Sequence, residues 1–244
     1  MTTIAMWSGP RNISTAMMYA FGNRVDCVAW DEPFYAFSLV HHGNDHPMRE
    51  EIIAANDADW DTLVAKCLSG PPPGKSVFYQ KHMTHHMLPG FDRAWILRLT
   101  NAFLIRAPER VLASYTQKWN EVSLRDIGFV EQAQIFDMVA QKSGMAPPVI
   151  DADDVLENPQ GMVEALCRAC DIPFDPAMLA WAPGPKTFDG VWAPHWYNAA
   201  WNSTGFSARP RSGMPTLQPH LSKIANAARP YYERLKAHCL AAKT

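Results

Sequence analysis

Five short apolar runs recur along the chain: Ile4 to Trp7, Cys27 to Trp30, Ser76 to Gln80, Ala102 to Ile105 and Pro148 to Ile150, with helix-forming stretches between them. Runs of that length without polar alternation fit strands buried on both faces, and a helix between successive strands is what a parallel crossover requires. The pattern predicts an α/β fold, three layers deep, with helices on both faces of a central, mainly parallel sheet. The segment Ser69-Gly70-Pro71-Pro72-Pro73-Gly74 separates a helix from the third strand. A last helix is expected over roughly Gln218 to Ala242, kinked or divided at Pro230. Ligands in such sheets bind beyond the strands' C-terminal ends, so the residues just after each run are where chemistry is sought.

Composition narrows the picture. With 244 residues and 48% hydrophobic content the chain can bury a large core, and one domain over residues 1–244 with helical, substrate-facing insertions is expected. A net charge of −2 does not suggest a general nucleic-acid or acidic-membrane surface. Five cysteines form no disulfide framework; Cys167-x-x-Cys170 falls in a helix-like stretch without a second ligand pair, so a structural role is expected and no metal is placed there. Met1-Thr2-Thr3 leads into the first strand with neither a basic region nor a long apolar run, which makes the cytoplasm the default location.

The first run breaks into Ser8-Gly9-Pro10-Arg11-Asn12-Ile13-Ser14-Thr15, followed by a helix-like stretch. A loop between a strand and a helix N-terminus is an anion cradle, because the first-turn N–H groups lack intrahelical partners and the helix dipole favours negative charge. Gly9 allows a tight turn, Arg11 brings a forked cation, and Ser14 and Thr15 bring hydroxyls. The loop does not match the G-x-x-x-x-G-K-[ST] triphosphate motif. A second strand-to-helix passage, Arg106-Ala107-Pro108 onward, puts Arg106 at a strand end, Pro108 at the first helical position and Ser114 two turns further on, a pairing that suits a second phosphate.

These two stretches resemble the 3′-phosphoadenosine 5′-phosphosulfate (PAPS)-dependent sulfotransferases, especially bacterial and carbohydrate ones with S-G-P-R-S-G-S-T in the first loop. A third stretch, Val149 to Pro159, is similar to the family's E-D-L-x-x-x-P, and Leu166 to Asp175 continues the likeness. The chain departs from the pattern at Asn12 and Ile13, which replace Ser-Gly, and at Asp151. The resemblance implies a P-loop nucleotide-hydrolase-like fold and sulfuryl transfer from PAPS to a hydroxyl or amine of a small molecule or carbohydrate, without a required metal. It also implies 5′-phosphosulfate on Arg11, Asn12, Ile13, Ser14 and Thr15, and 3′-phosphate on Arg106 and Ser114.

For the general base, Asp31-Glu32-Pro33-Phe34 resembles the E-P-L/F segment of carbohydrate sulfotransferases, and Glu32 is the first candidate, with Asp31 expected to face outward or pair with Arg11. The rival is Lys81-His82-Met83-Thr84-His85-His86, similar to the K-x-H of cytosolic sulfotransferases: His85 is the alternative base, surface histidines the bland reading, and Lys81 a cation near the transferred group. Later, the aromatic stretch Val191 to Phe206 offers faces for adenine or a sugar, and Ser203, Thr204 and Gly205 offer backbone to a phosphate, with Arg209 and Arg211 following. His41 and His42 with Phe34, Tyr35 and Phe37 are candidates for the acceptor pocket. A PAPS-binding sensor or scaffold without transfer chemistry, and a P-loop kinase or triphosphatase, are the alternative functions.

Overall fold

The computed structural model describes residues 1–42, 46–119, 121–207 and 213–242. Its centre is a five-stranded sheet ordered β2-β3-β1-β4-β5, with β1 Thr2–Ser8, β2 Cys27–Asp31, β3 Val77–Met83, β4 Thr100–Ile105 and β5 Val149–Asp151. Every pairing is parallel. All five expected strands are present. The connecting helices are α1 Ser14–Gly22, α2 Tyr35–His42, α3 Arg49–Ala55, α4 Trp60–Cys67, α5 Pro108–Tyr115, α6 Phe129–Ser143, α7 Ala152–Glu157 and α8 Pro159–Ala169. The two single-turn helices α9 Ala193–Trp196 and α10 Asn198–Trp201 and the long α11 Pro219–Lys236 complete the chain.

Alternation along β1 generates the layers. Ile4 and Met6 pack with α1, α7 and α8, whereas Ala5 and Trp7 pack with α4, α5, α6 and α11. Each set is buried, so β1 carries core on both faces. The helix α11 runs through Pro230 without division and ends at Lys236 rather than near Ala242, so the chain past Lys236 is not the end of that helix. Leu240 instead donates its N–H to the Val149 carbonyl at 2.8 Å. Cys167 and Cys170 are buried free thiols whose pKa values burial raises to about 11 and about 12, which leaves them protonated and structural.

From β1 the chain crosses to β2, returns through β3 and then passes to β4 on the other side of β1. The crossover direction therefore reverses between β3 and β4, on either side of β1. A crevice at the C-terminal ends of β1 and β4 is the outcome such a reversal produces.

Candidate active site

A cavity of about 380 Å³ opens at that crevice. Its floor is the loop after β1. Arg11 and Ile13 have φ of 62° and 58°, while Asn12 between them does not lie in the positive region. This alternation turns successive N–H groups toward one concavity. For a β-branched residue the left-handed region is a genuine outlier costing about 1–3 kcal/mol, a strain typical of ligand-binding loops. Ile13 is also the N-cap of α1, and no side chain caps that end, so the first-turn N–H groups are left for a ligand.

Gly9 is needed for space. A Cβ there would stand 2.5 Å from the Ile127 carbonyl oxygen, whereas Gly9 itself has no positive φ; the turn is made by Arg11 and Ile13 instead. The loop is braced from beneath: Gln132 Nε2 donates to the carbonyls of Trp7 (2.9 Å) and Leu104 (3.0 Å), and Asn12 Nδ2 donates to Leu104 at 3.2 Å. Asn12 is 1% exposed, so its side chain serves the loop's shape.

The second strand-to-helix passage meets the first directly. Arg11 Nε donates to Ser114 Oγ at 3.0 Å, and Arg106 Nη1 donates to the Arg11 carbonyl at 2.8 Å. Asp153, at the start of α7, lies 3.8 Å from Arg106 Nε. Burial lowers the Arg11 pKa, yet a guanidinium remains charged at physiological pH; a bound anion would offset that desolvation. Arg11, Asn12, Ile13, Ser14, Thr15, Arg106 and Ser114 all line the same cavity.

On the β2–β3 side the cavity is walled by a buried charge cluster. Asp31 and Lys81 are register partners on neighbouring strands. Lys81 Nζ donates to Asp31 Oδ1 (2.9 Å), Glu32 Oε1 (2.5 Å) and the Tyr197 hydroxyl (2.5 Å). Burial alone would lower the Lys81 pKa, but the two carboxylates reverse it and the net shift is upward. Burial raises the Glu32 pKa, opposed by Lys81 and reinforced by Asp31. Asp31 neither faces outward nor pairs with Arg11: it is 4% exposed, and it accepts from Lys81, from Tyr197 and from the Gly190 N–H at 3.1 Å. The sheet register delivers it to Lys81. Glu32 sits at φ 40°, a strained backbone that turns the chain at the strand end.

A sequence profile described as "Sulfotransferase domain" matches residues 1–239. The chain belongs to the sulfotransferase domain family. Two relatives from Arabidopsis thaliana, branched-chain-amino-acid aminotransferase-like proteins 1 and 2, are 34% identical over 96% and 98% of this chain. The chain spans 42% of the length of each. Among solved structures, a sulfotransferase from Alicyclobacillus acidocaldarius aligns with TM-score 0.56 at 11% identity, covering 99% of this chain and 97% of that one. The sulfotransferase domain from the curacin biosynthetic pathway aligns with TM-score 0.51 at 14% identity, covering 93% and 97%. At such identities the structures speak to the fold, which is the P-loop-like α/β fold of sulfotransferases.

Within this sulfotransferase domain the histidines at the end of β3 and just after it separate. The strand runs to Met83, beyond the apolar run, so Lys81 and His82 point to opposite faces. His82 is 1% exposed, stacks on Trp7 with centroids 4.4 Å apart and bonds Gln80 Oε1 at 3.0 Å; burial drives its pKa to about 3. It is a neutral core residue, not a surface one. His85 lines the cavity with its pKa pushed by burial to about 4, and His86 is buried against Tyr35.

Ser203 and Gly205 line the cavity and Thr204 does not. The Thr204 carbonyl accepts from Trp181 N–H at 3.1 Å, and Gly205 bridges Ala180. Arg209 and Arg211 lie outside the described residues. Of the acceptor-pocket candidates only Tyr35 reaches the cavity: Phe34 and Phe37 are core. His41 Nδ1 instead bonds the Phe37 carbonyl at 2.9 Å, and His42 Nε2 bonds Arg125 at 3.1 Å. Tyr197 and Trp192, at the centre of the charge cluster, carry no signal in the sequence beyond membership of an aromatic-rich segment. Among the described residues no cluster of three or more metal-ligating side chains occurs, and no helix is long and apolar enough to cross a membrane.

Proposed function

We propose that this domain transfers a sulfuryl group from PAPS to a hydroxyl or amine of a small molecule or carbohydrate. The observation that carries the reading is the meeting of two anion cradles: Arg11 and Ser114, 103 positions apart, touch at 3.0 Å over one cavity, and Arg106, just after β4, donates to the Arg11 carbonyl. A nucleotide with phosphate at both 3′ and 5′ positions matches two cradles, where a 5′-monophosphate uses only one. The donor set fits the group: uncapped N–H groups of α1, two guanidiniums and the hydroxyls of Ser14, Thr15 and Ser114 all favour anions. Ser203 and Gly205 close the nucleotide side in this reading.

The bound co-substrate supplies an activated sulfuryl group whose bridging oxygen leaves as phosphate. This chain's part is positioning and electrostatics. Arg11 and the loop N–H groups stabilise charge on the departing oxygen as the new acceptor-to-sulfur bond forms and the old sulfur-to-oxygen bond breaks. Glu32 takes the acceptor's proton. Its raised pKa makes it a better base than His85, whose protonation falls near pH 4. Lys81, with all three N–H groups occupied by Asp31, Glu32 and Tyr197, holds the base in place and has none spare for the sulfuryl oxygens.

The test is release of adenosine 3′,5′-bisphosphate from PAPS over a panel of neutral alcohols, phenols, amines and sugars, with wild type and Glu32→Gln side by side. Turnover by the wild type and none by Glu32→Gln, with equal bisphosphate binding, is expected. Full turnover in Glu32→Gln removes Glu32 from the base role. Binding without turnover by either protein favours a sensor.

A further inference from the structure

The buried charge cluster contains one member that comes from far along the chain. Tyr197 lies between α9 and α10, 5% exposed, with its hydroxyl at the centre of the cluster. That hydroxyl accepts from Lys81 Nζ (2.5 Å) and from Trp192 Nε1 (3.0 Å) and donates to Asp31, whose oxygens stand at 2.9 and 2.8 Å. Its one proton and two lone pairs are thereby used. The three ammonium protons of Lys81 are likewise matched to three acceptors, of which Tyr197 is the only uncharged one. Glu32 Oε1 is fixed by Lys81, with the Tyr197 oxygen 3.2 Å away. Among the described residues Glu32 Oε2 accepts no hydrogen bond; His86 Nε2 stands 3.9 Å from it.

We infer that Tyr197 is a positioning residue for Glu32: its hydroxyl completes the shell of Lys81 and donates to Asp31, which leaves Oε1 of Glu32 pinned and Oε2 without a hydrogen bond, able to receive a proton. Without that hydroxyl, Asp31 loses a donor. The ammonium then shifts toward Asp31 and away from Glu32. The ionised form of Glu32 loses support from both changes. The groups facing Glu32 are Asp31 and Tyr35 from its own segment, Lys81 from β3, His86 from the turn after it, and Tyr197. Of these only Tyr197 links the base to the late segment that lines the cavity through Trp196, Ala199, Ala200 and Ser203.

The inference rests on Glu32 being the proton acceptor proposed above, but its test needs no turnover. In the whole chain labelled with 13C at glutamate Cδ, the Glu32 signal is assigned by its disappearance in Glu32→Gln and titrated in wild type and Tyr197→Phe. The Glu32 midpoint is expected to rise by about one pH unit in Tyr197→Phe, the size that loss of a charged hydrogen bond gives. The thermal shift with adenosine 3′,5′-bisphosphate should be unchanged in that variant. An unmoved or lowered midpoint in folded Tyr197→Phe overturns the inference. If that variant does not fold, 3-fluorotyrosine at position 197 keeps the ring and strengthens the donor: a lowered midpoint supports the role and an unmoved one overturns it. Failure of the wild type to bind the bisphosphate would strike the donor assignment alone, since the titration is read without nucleotide.

Discussion

Replacing Lys81 by Met removes the cation from a cluster that also holds two carboxylates. Lys81 is 1% exposed and its ammonium touches Asp31 and Glu32, which are 4% and 8% exposed. Met keeps the length of the stem, so the change is electrostatic rather than a cavity. Removing one partner of a buried ion pair costs about 3–5 kcal/mol because the other charge is left uncompensated, against at most about 1 kcal/mol for an exposed pair. Here two carboxylates are stranded, and the upper part of that range is expected at neutral pH. The sign with pH follows from linkage. Without the ammonium the folded-state pKa of Glu32, already raised by burial, rises further above its unfolded value, and a group raised in this way contributes stability that is fully present below the unfolded pKa and lost as pH rises through the folded one. The deficit of Lys81→Met against wild type should therefore be largest at neutral pH and shrink as pH falls toward 4. In the wild type the upward shift of Lys81 contributes stability that is complete below its ordinary pKa of 10.5 and lost only in more alkaline solution. Urea unfolding of both proteins from pH 4 to pH 8 measures this, with an unchanged slope certifying that stability alone moved. A deficit below about 1 kcal/mol at pH 7, or one independent of pH, would mean that the ammonium does not hold the two buried carboxylates.

Three further outcomes follow from the same geometry. Gly9→Ala places a methyl 2.5 Å from the Ile127 carbonyl, a backbone atom that cannot swing away; a loss of about 1–3 kcal/mol in unfolding free energy and weaker bisphosphate binding by calorimetry are expected. Arg11→Ala and Arg106→Ala each delete a charged hydrogen-bond donor at the loop, and each should weaken bisphosphate binding by about 10- to 100-fold in the same titration. His85→Ala should retain most turnover where Glu32→Gln does not, since a base protonated only near pH 4 is a weak one; a comparable loss in both would transfer the base role to His85.

The strands were legible because a parallel sheet buries both faces of its strands and so writes continuous apolar runs. The two loops were legible because a strand end, a glycine or proline and a helix start sit next to one another in sequence. What sequence concealed was pairing across the sheet. Strand β3 continues past Gln80 through Lys81 and His82 although those residues are polar, because Asp31, Trp7 and Gln80 supply their partners only after folding. Tyr197 reaches Asp31 across 166 positions, and no periodicity marks such a contact. Ile13 in place of glycine read as a departure from a motif; the fold keeps the left-handed turn anyway and imposes it on a β-branched residue. The same loop shows that a conspicuous glycine can matter for close approach rather than for its dihedral freedom.

Whether the two phosphate cradles act together on one nucleotide is measured by thermal unfolding with adenosine 3′,5′-bisphosphate, with adenosine 5′-monophosphate and magnesium-ATP as controls. At a hundred times its dissociation constant a ligand adds about 2.7 kcal/mol of apparent stability. A clear rise in midpoint is expected with the bisphosphate, lost in Arg106→Ala, with little change from either control at the same concentration. No shift, or a larger one with magnesium-ATP, would contradict a shared bisphosphate site.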